Sequence, residues 1–572
     1  MTWVRRSGVA PSSSPVPLPD KIWQIIFGRG YSTKESIEAL LRPQLKSLAH
    51  PYTLDHMKEA VDRLLRALQA EEKILIYGDY DLDGTPGLAL LQDGLLRLGF
   101  KRIDVFQPSR LKQGYGLHSA LMEEFKRQGV QLIVTVDVGI TDVEAVRVAK
   151  DLGMDVIVTD HHLPKEELPP AVAIINPNKG DCGSRLQHLC GAGVAFYLIL
   201  ALRMEMSRLG LLQNDFNPKE LLDLFSIATI TDMVPLVGEN RVLVKHGLLQ
   251  LADTKRPGLK RLFQELGFYG KKLSAQDVAF RIAPKLNALT RLDEGVRALD
   301  VLLANEESAP SLVSEALIIN QRRVQLQEKA KRVAESLIRA KDVSSFVWIY
   351  SHEFHPGVIS LVANDLMSEL GVPAFVGAIY DGRIVGSARA PSGAHNLQDA
   401  LAAAKPALNR YGGHQMAAGF EVEESNQEKV GELLGEYFAR AAEPQERGAA
   451  PSYVYDAEVS LSDLDENFMN WYESLGPFGM QFEVPLLLLR GVNVQSRRKL
   501  KGKFLKYVLS DGVKTLEAPW FSGAVEFTEG SLVDVLFEPK WNEYNGRRSI
   551  QAMITDMKYQ KSYTLDADRQ LC

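Results

Sequence analysis

Short runs rich in valine and isoleucine alternate with segments of helical period from Lys73 to Ile175. Lys73–Gly78, Ile103–Gln107, Gln131–Val136, Asp155–Thr159 and Ala171–Ile175 read as buried strands, and the segments between them predict a parallel sheet with helices on both faces. Ahead of it, residues 9–19 are rich in Pro and Ser and read as a flexible lead-in to a small helical region ending near Leu68. After Asp232 the pattern turns helical, and Glu315–Lys341 predicts one long connecting helix. A second α/β unit opens at Phe346–Tyr350 and closes near Arg440, followed by a linker over Ala442–Pro451. From Val454 the period shortens to that of strands (Pro485–Leu489, Phe504–Leu509, Leu532–Phe537, Ser549–Ile554), with an Asn545-Gly546 turn, which predicts a small OB-type barrel. The expected division is 1–68, 69–235, 236–344, 345–442 and 452–572.

The length of 572 residues agrees with several cores rather than one. A formal net charge of −6 argues mildly against attraction to nucleic acid by the surface as a whole, so any such binding has to come from local basic patches. Cys182, Cys190 and Cys572 are too few and too oddly spaced for a disulfide framework or a zinc site, which suits a reducing cytoplasm and directs any metal to oxygen and imidazole. The start, Met1 to Arg6, runs into Ser and Pro, so no signal peptide is expected, and no apolar run is long enough to cross a bilayer.

The strongest chemistry lies where the first strand ends, in Gly78-Asp79-Tyr80-Asp81-Leu82-Asp83-Gly84. Ligands of open α/β sheets collect beyond the carboxyl ends of the strands. Two further strands end in Asp137 and in Asp160-His161-His162, and Asp232 follows the apolar helix Leu221–Thr231. Crowded carboxylates resist ionisation unless cations neutralise them, and a pair of Mn²⁺ or Mg²⁺ ions is the simplest resolution. Alone, D-x-D-x-D-G could be a calcium loop or a solvated turn. An EF-hand needs a bidentate Glu at its twelfth position and a preceding helix, whereas an apolar helix begins here at Thr85. A lone strand-end acid such as Asp137 is often an N-cap; the conjunction argues against that.

These ordered motifs resemble the DHH phosphoesterases. Leu189–Phe196, Ile282–Ala288 and His355–Ile359 resemble stretches of the RecJ exonucleases, and the likeness runs from about Leu54 through nearly the whole chain. It implies two α/β lobes, DHH and DHH-associated, joined by a long helix, plus the OB-fold barrel. It implies a metal-dependent 5′-to-3′ exonuclease that hydrolyses single-stranded DNA to mononucleotides in repair and recombination. Asp83, His161 and Asp232 would hold one divalent metal and Asp81 with Asp79 the other. Asp137 would bridge them, and His162 would face the scissile phosphate. Arg410–Gly419 looks like the glycine-histidine signature of the DHH-associated domain, in which Gly412, Gly413 and His414 engage substrate; by itself it could be a turn beside a core histidine. Arg110, Tyr115, Asn287, Ser387 and Arg389 complete the implied substrate contacts, the serine and the two arginines at the terminal 5′-phosphate.

In the barrel, Arg490, Arg497, Arg498, Lys499, Lys501, Lys503 and Lys506 interleave with Phe504 and Tyr507, the recipe for sequence-tolerant single-strand binding, although a solvated Lys-rich hairpin has the same composition. The implied partners are single-stranded DNA and, as candidates, a helicase or a single-strand-binding protein, with no membrane. The chain departs from RecJ at Asn287-Ala288-Leu289-Thr290-Arg291, where Thr stands for the usual Gly and loses access to positive φ, and at Met480–Val484. The rival readings are a small-substrate phosphodiesterase, which needs no basic barrel, and a catalytically silent DNA-binding scaffold, which should have lost metal ligands.

Overall fold

In the computed structural model the described residues are 2–560, apart from 7, 9, 111–112, 181–184, 213–215, 340–344, 392–395, 442–451, 501–503, 522, 524 and 545. The expected linker, Lys501, Lys503, Asn545, Cys182 and Cys572 therefore lie outside the described residues. Two compact units emerge, residues 49–448 and residues 1–48 with 449–572.

The larger unit contains a parallel sheet of β1 (Ile74–Gly78), β2 (Ile103–Phe106), β3 (Leu132–Val136), β4 (Asp155–Thr159) and β5 (Ala173–Ile175), in the order β2-β1-β3-β4-β5. β1 and β3 are buried at every position, as a doubly covered sheet requires. On one face Leu75, Tyr77, Ile133, Val156 and Val158 pack with Phe125, Val146 and Ala149. The other face is covered by α1 (Gly84–Arg97) and α2 (Gly191–Arg208), with α3 (Leu222–Thr231) against α1. The strand order reverses between β1 and β3, the crevice where open sheets bind ligands.

The same unit continues through α4 (Ala283–Leu292) and the 31-residue α5 (Ala309–Arg339). α5 begins six residues before the start read from the sequence. A mixed sheet follows: β6 (Val347–Ser351), β7 (Ala374–Tyr380), β8 (Arg383–Arg389), β9 (Arg410–Gly413) and β10 (Ala417–Glu423), ordered β9-β10-β8-β7-β6. Only β6 and β7 pair in parallel. Thr290 lies inside α4, where no positive φ is required, and its Oγ1 donates to the carbonyl of Asn287 at 3.1 Å. The loss of glycine therefore leaves no strain at this position; the left-handed residue is Asp293, just after the helix.

The second unit is a barrel of β11 (Leu487–Leu500), β12 (Phe504–Ser510), β13 (Thr515–Trp520), β14 (Leu532–Tyr544) and β15 (Arg547–Tyr559), closed by the pairing of β11 with β14. β13, which contains Pro519, was not foreseen, and neither was a strand over Thr2–Arg5, which pairs in parallel with Ser452–Tyr455. Residues 2–48 thus count with the barrel. Buried Asp456 accepts from Arg6 at 2.9 Å and from Arg29 at 2.8 Å, anchoring this segment. Tyr507 is another correction: it is fully buried, its hydroxyl accepts from the Phe527 amide at 3.2 Å, and it is core rather than a stacking face.

Candidate metal centre

The first motif caps α1 with carboxylates that do not cap. Asp83 stands at the N-cap but makes no side-chain cap bond, while the amides of Asp83 and Gly84 each donate to Asp81 Oδ1 at 3.2 Å. Gln107 fixes the preceding turn by donating to the carbonyl of Asp79 at 2.7 Å. Asp137 leaves β3 in the left-handed region, φ 66°, a conformation Asp tolerates better than most residues. Asp232 ends α3 because Met233 turns left-handed, φ 58°, and Pro235 follows.

Glycines bring these pieces together. A Cβ on Gly191, the first residue of α2, would lie 2.4 Å from Asp137 Oδ1 and 2.7 Å from its Cα. One on Gly84 would lie 3.0 Å from Asp79 Cβ and 3.3 Å from Asp137 Oδ2. The amino end of α2, where the helix dipole favours negative charge, is thereby seated against Asp137.

Within the cluster His161 Nε2 lies 3.1 Å from Asp137 Oδ1 and 3.6 Å from Asp232 Oδ2. Neither oxygen has an aligned hydrogen-bond partner, although both are buried. Ligand atoms about 2.0–2.2 Å from a shared ion stand roughly 3–3.6 Å apart. Buried carboxylate and imidazole groups facing one another at these spacings are what a divalent cation would satisfy, so the residues fit such an ion. Electrostatics agrees. Burial, then the charges of Asp81 and Asp137, push Asp79 well above the carboxylate range, and Asp83 is raised by burial and by Asp81, Asp137 and Asp232. Burial raises Asp232 to about 6 despite His161. For His161, burial opposes protonation but Asp137 and Asp232 outweigh it, to about 9.

Sequence reasoning missed the scaffold behind these groups. Asp160, fully buried, is a positioning residue: Oδ1 accepts from the amides of His161 (2.7 Å) and His162 (3.1 Å) and contacts His162 Nδ1 at 2.7 Å, and Oδ2 accepts from Ile140 N–H at 3.0 Å. Burial works against its charge, yet His162 and these amides hold it below its ordinary value. Asn176 and Asn178 donate to the carbonyls of His162 and His161 at 2.9 and 2.5 Å. The Tyr115 hydroxyl stands 3.2 Å from His162 Nδ1.

Arg291 was missed too. It is half-buried on α4, donates to Ser360 Oγ at 2.8 Å, and has no carboxylate partner among the described residues. Burial, then the like charges of Arg110, Arg323 and Arg389, lowers it to about 10, while Asp81 acts in the opposite sense. Arg389 Nη1 donates to Ser387 Oγ at 2.9 Å, and Arg110 lies 5.7 Å over the Tyr80 ring. Uncompensated arginines therefore border the acidic cluster. Asn287 is half-buried one turn before Arg291.

Gly412, Gly413 and His414 form the exposed end of the β9–β10 hairpin, where the His414 amide donates to the Ala417 carbonyl at 2.7 Å. Among the described residues no hydrogen bond joins the His414 ring to the acidic cluster. In the barrel, Arg497 and Lys499 share Glu526 at 2.8 and 2.9 Å, Lys506 pairs with Glu517 at 2.7 Å, and Arg490 pairs with Glu458 at 2.8 Å. Phe504 stacks edge-on with Phe521 at 5.2 Å.

Family profiles match in the same order: the DHH family N-terminal domain over 73–229, the DHHA1 domain over 343–441 and the RecJ OB domain over 455–556. Single-stranded-DNA-specific exonuclease RecJ of Bacillus subtilis (strain 168) is 32% identical over 541 residues, 93% of this chain and 67% of that protein. RecJ of Escherichia coli (strain K12) is 32% identical over 581 residues, 97% and 98%. Crystal structures of Thermus thermophilus RecJ superpose with TM-scores of 0.79 in complex with Mn²⁺ and 0.73 with Mg²⁺, at 30% and 29% identity. Each match covers 95% of this chain and 76% or 75% of the Thermus chain, respectively. With three domains in a shared order and a third of its residues identical over almost its whole length, this chain belongs to the RecJ family.

Proposed function

We propose that this metal-dependent exonuclease enters single-stranded DNA at a 5′ end and releases mononucleotides. The observation that supports it best is the convergence of four chain segments on buried, unpaired oxygen lone pairs, bordered by arginines without acidic partners among the described residues. Asp83, His161 and Asp232 would hold one divalent ion and Asp79 with Asp81 a second, with Asp137 common to both. Such a pair would acidify water and stabilise the charge growing on the phosphoryl oxygens.

The chain's own groups do the remaining work. Asp160 engages His162 through Nδ1 and favours its imidazolium form, whose Nε2–H would donate to a phosphate oxygen. Arg110, Arg389 and Arg291, with the hydroxyl of Ser387, would receive a terminal phosphate and so set the end from which digestion starts. Asn287, Tyr115 and the Gly412-Gly413-His414 turn would flank the nucleotide being cut. Arg498, Phe504 and the cations around them would hold the strand further on; Lys501 would add to them by sequence position. No helix among the described residues is long and apolar enough to cross a membrane. The DNA substrate would place its work in the cytoplasm, where a helicase or single-strand-binding protein would supply single strands.

The test is incubation with Mn²⁺ of single strands labelled at either end. Release of a labelled mononucleotide at once from 5′-labelled strands, and only late from 3′-labelled ones, is expected. The reverse order would remove the arginine cluster from any role in polarity. The small-substrate reading gains nothing from a barrel, and every acid and imidazole a silent scaffold would lose is in place.

A further inference from the structure

Glu239, Asn240 and Arg241 lie in the first turn of the helix Gly238–Ala252, and all three are buried. Polar side chains in so dry a place need partners, and those of Asn240 are specific. Its Nδ2 donates to the carbonyl of His188 at 2.5 Å and to that of Pro235 at 3.1 Å. Only the NH₂ end of the amide can serve two carbonyls at once, so the side chain has one way to face. Its Oδ1 is buried and unpaired among the described residues, so the contribution of Asn240 lies in those two donated bonds. Glu239, one residue earlier, pairs with Arg185 at 2.7 Å and grips the same loop as the His188 contact a second time.

The two carbonyls belong to the loops that frame one side of the metal centre. His188 stands three residues ahead of Gly191, the glycine seated against Asp137. Pro235 stands three residues after Asp232. Between the loops Val234 packs on Cys190, Ala192 and Ala228, an apolar contact with no direction of its own. Asp137 Oδ1 and Asp232 Oδ2, the oxygens that flank His161 Nε2 at 3.1 and 3.6 Å, are thus each one short loop away from Asn240. The two carboxylates repel one another unless a cation lies between them. Met233 and Pro235 turn the chain away from α3, and Asn240 ties that turn to the loop before α2.

We propose that Asn240 is a positioning residue of the metal centre: by tying the Asp232 loop to the loop ahead of Gly191 it sets the separation of the Asp232 and Asp137 carboxylates, and with it how well the site accepts Mg²⁺. The inference rests on the ligand assignment proposed above. Mg²⁺ needs its oxygens close to an ideal octahedron, at about 2.0–2.1 Å, and dehydrates reluctantly. Mn²⁺ is larger, and its half-filled d shell imposes no geometry, so it tolerates a wider and less regular set of ligands. Loosening the tie therefore penalises Mg²⁺ more than Mn²⁺. Partners that orient metal ligands in this way are commonly worth about 10–100-fold in metal affinity.

The test uses the full chain and measures binding apart from turnover. Mn²⁺ is titrated and the free ion read by electron paramagnetic resonance; Mg²⁺ is read by competition against bound Mn²⁺. Asn240→Leu keeps the size of the side chain and removes both donors. In it one of the two Mn²⁺ dissociation constants should rise about tenfold, and the matching Mg²⁺ constant by closer to about 100-fold. Rates on single strands should follow, falling further in limiting Mg²⁺ than in limiting Mn²⁺. Leu251, fully buried near the far end of the same helix, supplies the control. Leu251→Ala should lower the unfolding temperature in chelator and leave both constants as in wild type. Should Asn240→Leu fail to fold, Asn240→Ala, in which water can reach the two carbonyls, is read in the same way. Unchanged constants in the Asn240 variant, a rise equal for both ions, or the same rise in Leu251→Ala would overturn the proposal. If Asp137→Asn bound Mn²⁺ as tightly as wild type, the ligand assignment beneath it would fall instead.

Discussion

Replacement of Asp137 by Asn tests the metal centre in two opposite directions at once. The residue is 3% exposed, its Oδ2 lies near Asp79 and its Oδ1 beside His161. Two carboxylates ~5–6 Å apart repel by about 3 kcal/mol at an effective dielectric near 20. Asp137 has several such neighbours, and the contact with His161 offsets part of the repulsion. Asn keeps the shape, tolerates the left-handed backbone and removes the charge. In chelator Asp137→Asn should therefore be more stable than wild type by about 1–3 kcal/mol. For a unit of some 400 residues that is a rise in Tm of roughly 1–5 °C. Mn²⁺ reverses the order: at a hundred times its Kd the ion stabilises wild type by about 2.7 kcal/mol and the variant by little. Exonuclease activity should fall by about 10³-fold or more. Scanning calorimetry with and without Mn²⁺ reads all but the last. A variant that melts below wild type in chelator, or that responds equally to Mn²⁺, would refute the argument that these lone pairs exist to hold cations.

Gly191→Ala should lose about 1–3 kcal/mol and most activity, because the 2.7 Å approach to Asp137 Cα cannot be relieved by rotating a side chain; urea melts and a rate on single strands would show it. Tyr507→Ala should destabilise the barrel by about 3–5 kcal/mol, whereas Phe504→Ala should weaken DNA binding at nearly unchanged stability; equal stability losses would contradict the burial difference. Lys245, depressed to about 8 by burial and by Arg241 and Lys272, binds a proton less readily folded than unfolded. Stability should therefore rise between pH 8 and the ordinary lysine range, and the penalty below pH 8 should be on the order of 1–3 kcal/mol after solvent screening. Lys245→Met should abolish that rise; an identical pH profile would show that the lysine carries no penalty.

The parallel sheet was legible because its strands are apolar runs, three of them ending in acids, and the sheet rule places those ends at one crevice. That rule gathers Asp79, Asp81, Asp83, Asp137 and His161, whereas Asp232, at the end of a helix, lies outside it, and the assignment of ligands to ions came from the family resemblance. Asp160 was seen in the motif but its role was not, because a buried carboxylate facing amides reads the same in sequence as a ligand. Arg291 hid inside a helical phrase, and only the fold brings it beside Arg110 and Arg389. Gly191 stood only as part of a phrase resembling RecJ, and the close approach of Asp137 that demands it appears only in the fold. β13 escaped; it is short and contains Pro519, a residue that sits poorly in strand interiors. Tyr507 was misplaced because alternation gives two faces without saying which is inner.

The pairing of Thr2–Arg5 with Ser452–Tyr455 has a consequence for biosynthesis. Arg6 and Asp456 are 450 residues apart in the chain. At translation rates of about 5–20 residues per second, the opening segment waits roughly 20–90 s for its partner strand to be made. The catalytic unit can fold on the ribosome in that interval as an insertion, while residues 2–48 stay exposed to proteases and chaperones. Completion of the barrel would then come late, joining two segments only after the stretch between them has been made.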